Sequence, residues 1–217
     1  MLELERDILD GMPTTGPTDP IAFYRRPVVG WLFRERINRG LRLLGERRFE
    51  RALEVGYGAG ALQLVVDHVA DELHGIDLDA DPDEVMNTLS RRGLNSQLVR
   101  GDVCEMPYED ETFDLVVCFS VIEHLHAYRQ ALAEIRRVLR SGGWLLLGMP
   151  SVNVTMEVGF RAIGFKGIED HHVTTPAQVE AAFDAAGLSV VRSDFLDVPG
   201  RRPFGLRLYH DWLLERP

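Results

Sequence analysis

Between Leu53 and Leu78 the chain carries a pattern that few folds accommodate. Leu53-Glu54-Val55 runs into Gly56-Tyr57-Gly58-Ala59-Gly60, and further along comes Gly75-Ile76-Asp77-Leu78. An apolar run that breaks into alternating glycines, followed by a second apolar run tipped with a carboxylate, reads as strand, tight turn, helix and strand. The glycines let the backbone turn sharply and approach a ligand with no Cβ in the way. Asp77 stands where it could accept hydrogen bonds from ribose hydroxyls. The pattern marks a nucleotide-type cofactor site but does not choose the cofactor, because Gly56-x-Gly58-x-x-Ala61 also fits the dinucleotide fingerprint.

The downstream segments extend the same alternation. Ser96-Gln97-Leu98-Val99-Arg100 leads into Gly101-Asp102-Val103, so Asp102 falls just past a third strand. Phe113 to Ser120 is an almost wholly apolar fourth strand, as expected where a parallel sheet is buried on both faces. Ser120-Val121-Ile122-Glu123-His124-Leu125 follows it directly, and Leu139-Arg140-Ser141-Gly142-Gly143-Trp144 closes one helix and opens a fifth strand. With these residues in place the chain, from about Arg51 to Leu188, resembles the class I S-adenosylmethionine-dependent methyltransferases. The resemblance is strongest to the small-molecule branch that includes ubiquinone- and menaquinone-type methylases. It implies an α/β, Rossmann-like, seven-stranded sheet with six strands parallel and the last antiparallel, and helices on both faces.

The resemblance also implies roles. Glu54 would meet the methionine amino group of S-adenosylmethionine, and Gly56, Gly58 and Gly60 would shape the loop with the Tyr57 amide near the cofactor. Asp77 would take the ribose, Leu78 would pack on adenine, and Asp102 and the Val103 amide would bond the adenine edge. Phe119 would border the methionine end. Apart from the resemblance, an acid such as Glu54 repels phosphates and suits an ammonium and a sulfonium. That favours the methyl donor over a nicotinamide dinucleotide. An oxidoreductase would leave Asp102 without a role, and no Tyr-x-x-x-Lys pair is present. A non-catalytic protein that kept the fold need not hold Glu54, the glycine loop, Asp77 and Asp102 together.

Methyl transfer from an activated sulfonium needs chiefly alignment and exclusion of water. A hydroxyl or protonated amine acceptor also needs a base, and His124, after the fourth strand and with a near-neutral pKa, is the candidate. The alternative for His124 is a helix cap. Tyr24, His171 and His172 are candidate substrate-pocket residues. Glu169-Asp170-His171-His172 invites a metal reading, but the acid pattern of metal-dependent methylases is missing, so no metal is expected.

Length and composition set the remaining bounds. With 217 residues, 45% of them apolar, the chain can bury one sizeable core. A net charge of −10 argues against a nucleic-acid partner, so the expected partner is a small-molecule or lipid-like acceptor. No run is long enough for a bilayer span, and the acidic start, Met1 to Asp7, is unlike a signal peptide. Cys104 and Cys118 are expected as reduced thiols near the ends of neighbouring strands, and the expected location is cytoplasmic. Residues 1–19 read as a flexible arm, and 20–217 as a single domain.

Within that domain a cap helix spans about 21–48, with Val29, Phe33, Ile37, Leu41 and Leu44 at helical spacing. Nine arginines against three acids between Arg25 and Arg51 leave open a peripheral membrane contact, but a core-facing stripe is the favoured reading. Residues 151–174, long and apolar, read as a substrate lid. Oligomeric state is not legible in the sequence.

Overall fold

A computed structural model of the chain describes residues 3–14, 24, 26–151, 172–197 and 207–217. The lid expected over 151–174 falls mostly outside the described residues, as does His171.

Seven strands form one sheet: β1 (Phe49–Val55), β2 (Ala70–Asp77), β3 (Gln97–Arg100), β4 (Phe113–Phe119), β5 (Leu139–Pro150), β6 (Ser189–Asp197) and β7 (Arg207–Glu215). Their order is β3-β2-β1-β4-β5-β7-β6. β1 to β5 are parallel, and β7 inserts antiparallel between β5 and β6, which leaves six strands pointing one way. The expected sheet is therefore the one observed. Strand order reverses between β1 and β4. In open α/β sheets that reversal opens a crevice beyond the carboxyl ends of the strands, where ligands bind.

Alternation along the strands feeds two cores. Ala52, Leu115, Val117, Leu146 and Leu213 face one side, under α1 (Pro27–Leu44), α2 (Gln63–Val66) and α3 (Pro82–Ser90). Leu53, Val55, Val116, Leu145 and Leu147 face the other, under α4 (Tyr128–Val138), α5 (Pro176–Glu180) and the turns after it. Helix α1 starts with proline in its first turn, needing no donor there, and buries Phe33, Ile37, Leu41 and Leu44. The core-facing stripe expected of it is present, while Trp31 stays half exposed. No helix among the described residues is long and apolar enough to cross a membrane.

Three local features complete the fold, and the last of them corrects an expectation. Helix α2 is a single turn, because Phe49 N–H takes the Val69 carbonyl at 2.8 Å and strand pairing starts at Ala70. Helix α5 stops at Glu180, and separate turns carry the chain to Gly187. Residues 3–14, within the arm expected to be loose, are packed. Leu4, Leu9 and Met12 are buried, Leu4 N–H donates to Asn38 Oδ1 at 2.7 Å, and the Arg92 guanidinium holds the carbonyls of Ile8 and Asp10. Three apolar side chains on a polar segment are enough to dock it. Cys104 lies in the loop after β3 and Cys118 inside β4, and neither is in a disulfide.

Candidate functional site

The carboxyl ends of β1, β2, β3 and β4 surround a cavity of about 570 Å³ that α1 covers from the side. Its floor is the glycine turn. Gly56 has φ +78°, Gly58 +47° and Gly60 +82°, all in the left-handed region where a Cβ is unfavourable. At Gly56 a Cβ would also stand 2.3 Å from Val121 Cγ2. Gly58 N–H donates to Asp77 Oδ2 at 2.9 Å, while Asp77 Oδ1 accepts the N–H groups of Asp79 and Ala80, each at 2.9 Å. One carboxylate thus fastens the turn after β1 to the turn after β2.

Glu54, next to last in β1, is buried, with Oε2 accepting from Gln63 Nε2 at 2.7 Å. Gln63, fully buried, accepts in turn from the Ser96 hydroxyl at 2.6 Å through Oε1. Burial pushes the Glu54 carboxyl up to about 8; the Gln63 hydrogen bond works against this and the nearby Asp77 charge adds to it. Among the described residues this cavity-lining carboxylate has a neutral donor and no cation on it, and a positively charged ligand would supply one. The chemistry of this donor set therefore fits the ammonium and sulfonium of S-adenosylmethionine, and Asp77 at the end of β2 and Asp102 just past β3 line the same cavity.

The other wall is made of buried side chains. The Phe119 ring lies against Gly40 of α1 and Gly148 of β5; a Cβ on either would come within 2.6 Å of the ring. Ser120 has φ +56°, uncommon for a residue with a side chain, and its hydroxyl is 2.8 Å from the Tyr209 hydroxyl. Such backbone is retained where the surroundings over-determine it, often at functional sites. Arg36 of α1 donates to the Tyr24 hydroxyl at 3.0 Å and lies over the rings of Phe33 and Tyr209, at 4.8 and 5.1 Å. Glu123 is buried, and burial pushes its carboxyl up to about 8 while Arg36 pulls it down. His124 Nε2 stands 3.9 Å from Glu123 Oε1, and its ring is 5.2 Å from that of His172.

Of the residues singled out from sequence, Glu54, Gly56, Tyr57, Gly58, Asp77, Leu78, Asp102, Val103, Phe119, His124 and Tyr24 all line this one cavity. Leu78 is 61% exposed, an apolar side chain standing open at the rim. Asp102 Oδ1 accepts the Cys104 N–H at 2.8 Å, which fixes its turn. Gly60 does not line the cavity: a Cβ there would stand 2.8 Å from Val85 and 3.3 Å from Leu89, so it serves the packing of α3. His172 lies beside His124 outside the cavity lining. Arg36, Gln63, Glu123 and Tyr209 were not identified as site residues. Only Glu123 had a signal, its adjacency to His124.

Comparison with known proteins places this geometry. Residues 53–147 match the profile of a methyltransferase domain family. An uncharacterized methyltransferase of Bacillus subtilis, YcgJ, is 31% identical over 103 residues, covering 46% of this chain and 41% of that protein. A demethylmenaquinone methyltransferase of Staphylococcus aureus is 32% identical over 106 residues, covering 48% of this chain and 44% of that one. The chain thus matches less than half the length of these relatives. The crystal structure of YcgJ superposes with a TM-score of 0.64 at 16% identity, over 84% of this chain and 99% of that one.

Proposed function

We propose that residues 53–147, which match a methyltransferase domain family, form a class I S-adenosylmethionine-dependent methyltransferase domain, and that the whole chain transfers a methyl group to a small-molecule acceptor held in the cavity beneath α1. The observation that carries the reading is Glu54, a buried carboxylate facing a cavity, whose hydrogen-bond donor among the described residues is the Gln63 amide. Glu54 would hold the ammonium of the methionine end and Asp77 the ribose hydroxyls, using what its three N–H partners leave free. Leu78 would cover adenine, whose edge Asp102 and the Val103 amide would bond. When bound, the cofactor supplies an activated methyl group; the chain's own residues bind, orient and exclude water.

On the acceptor side Tyr24, Ile37, Phe119 and Leu4 give an apolar surface, and Arg36 brings a guanidinium already stacked on aromatic rings. That lining suits a flat, largely apolar acceptor with an oxygen for Arg36, a class to which a demethylmenaquinone-like compound belongs. His124, beside Glu123, would take the acceptor's proton. The likeness to the quinone methylase and the Glu54 carboxylate, which would repel a pyrophosphate, both speak against an oxidoreductase.

The test is turnover. Protein incubated with S-adenosylmethionine and a panel of phenols, quinols and amines is expected to release S-adenosylhomocysteine with one acceptor class and to be slowed about 100-fold or more by His124→Ala. S-adenosylhomocysteine binding with no turnover on any acceptor would support a binding protein instead.

A further inference from the structure

Glu123, His124 and His172 each offer one ligand atom, and these atoms lie within 4.8 Å of one another at the edge of the cavity. We propose that these three residues form a binding site for a divalent first-row transition ion. The proposal deepens the methyl-transfer reading and rests on it, since an ion beside His124 would meet the acceptor.

One feature points to an ion, and a second shows that its ligands are already held together. Glu123 is 1% exposed; its Oε1 stands 3.9 Å from His124 Nε2, and the other oxygen of the same carboxylate, Oε2, has no hydrogen-bond partner. A carboxylate oxygen buried without a donor is costly, and a cation satisfies it. The second feature is the scaffold. Val173 and Thr174 N–H both donate to the Glu123 carbonyl, at 2.8 and 3.1 Å, and Thr174 Oγ1 donates to the Leu125 carbonyl at 2.7 Å. The backbone next to His172 is therefore sewn to the turn (Ile122–His124) that carries the other two ligands. The ligand set is held before any ion arrives, and only side-chain rotation is needed. Metal bonds of about 2.0–2.2 Å would draw the ligand atoms to roughly 3.4 Å apart. That closure is within reach of two partly exposed imidazoles.

The donor types select the ion. Two imidazoles and one carboxylate suit zinc, cobalt, iron or nickel over magnesium or calcium, which prefer all-oxygen sets. Three protein ligands leave a coordination position open, as catalytic sites do. Because His124 lines the cavity, that position would take an oxygen of the acceptor, which narrows the acceptor to one bearing a hydroxyl. With the ion bound, His124 acts on the acceptor hydroxyl as a ligand of that ion in place of the base role proposed above, and the hydroxyl proton leaves to solvent water.

The experiment uses tag-free, chelator-treated protein titrated with Co²⁺, followed by its visible ligand-field absorption. The expected result is one equivalent bound, displaced by Zn²⁺, with affinity lowered tenfold or more in His172→Ala and in Glu123→Gln and unchanged in the surface variant His68→Ala. Thermal melts by circular dichroism establish that each variant is folded. Should Glu123→Gln fail to fold, His172→Ala decides alone. Absence of stoichiometric Co²⁺ absorption, or equal affinity in His172→Ala, overturns the proposal. The same metal-free protein titrated with S-adenosylhomocysteine separates the two claims. Cofactor binding without cobalt binding sinks only the ion site, and cobalt binding without cofactor binding sinks the methyl-transfer reading.

Discussion

The wall of the cavity built from the ends of β1 and β2 is held by backbone. Three left-handed glycines make its turn, and one carboxylate, Asp77, gathers three N–H groups. The opposite wall, from α1, the end of β4 and β7, is held by buried side chains: Phe119 against Gly40 and Gly148, Arg36 over aromatic rings, and Glu123 and Asp211 in the interior. Asp211 is fully buried, and neither of its carboxylate oxygens has a hydrogen-bond partner. The first wall is a generic cradle whose shape follows from local sequence. The second joins residues far apart in the sequence through the pairing of β7 with β5, and on the proposed function its polar groups would meet the acceptor.

The sharpest way to break this comparison is Asp77→Ala. It releases three backbone N–H groups and, on our reading, the ribose hydroxyls as well. We expect affinity for S-adenosylhomocysteine to fall about 100-fold or more, about 3 kcal/mol, with a lower Tm. An Asp77→Ala protein that binds as the parent does would remove the first wall from cofactor binding.

Next in size is a change confined to the second wall. Gly148→Ala places a Cβ 2.3 Å from the Phe119 ring and 2.8 Å from that of Tyr209. Overpacking of this kind costs about 1–3 kcal/mol, to be read by urea unfolding, with cofactor affinity changed far less than in Asp77→Ala. Equal losses of cofactor affinity in the two variants would mean that the walls do not divide the work as described.

Glu54→Gln should cost about tenfold in affinity, about 1.4 kcal/mol, and it carries a pH signature. With its carboxyl pushed up to about 8, Glu54 holds a proton near neutrality in the free protein. A cationic ligand favours the charged form, so binding expels that proton and affinity should rise from about pH 6 to about pH 8. Glu54→Gln should flatten that rise. A slope that survives the substitution assigns the proton to another group.

The smallest effect is expected at Asp211. Burial, with the Asp194 charge adding to it, holds its carboxyl well above the ordinary range. A raised acid stabilises the folded state below its unfolded pKa, and that contribution is lost as pH rises through the folded value. Asp211→Asn should change stability near pH 5 by less than about 1 kcal/mol and flatten the decline of Tm toward alkaline pH. A steeper decline in the variant would contradict this.

How much was legible in the sequence follows the same division. The sheet, the glycine turn, Asp77 and Asp102 could be read because each sits at a strand end whose position is set by nearby residues. Even so Gly60, part of the same motif, faces Val85 and Leu89, since a glycine repeat does not say which glycine approaches a ligand. Arg36 gave no sign, being one arginine among nine in a basic segment. Asp211 and Tyr209 reach α1 and Ser120 only because β7 inserts beside β5. That pairing is made across a large sequence separation that no local pattern encodes. The packing of residues 3–14 was hidden because three apolar side chains on a polar segment make no period.

The central claim is that the cavity around Glu54 and Asp77 holds the methyl donor. Calorimetric titration of the tag-free chain with S-adenosylhomocysteine, in two buffers of different ionisation enthalpy, tests it most directly. One-site binding accompanied by proton release that disappears in Glu54→Gln is the predicted result. No binding, or a response to NAD in its place, would contradict the account.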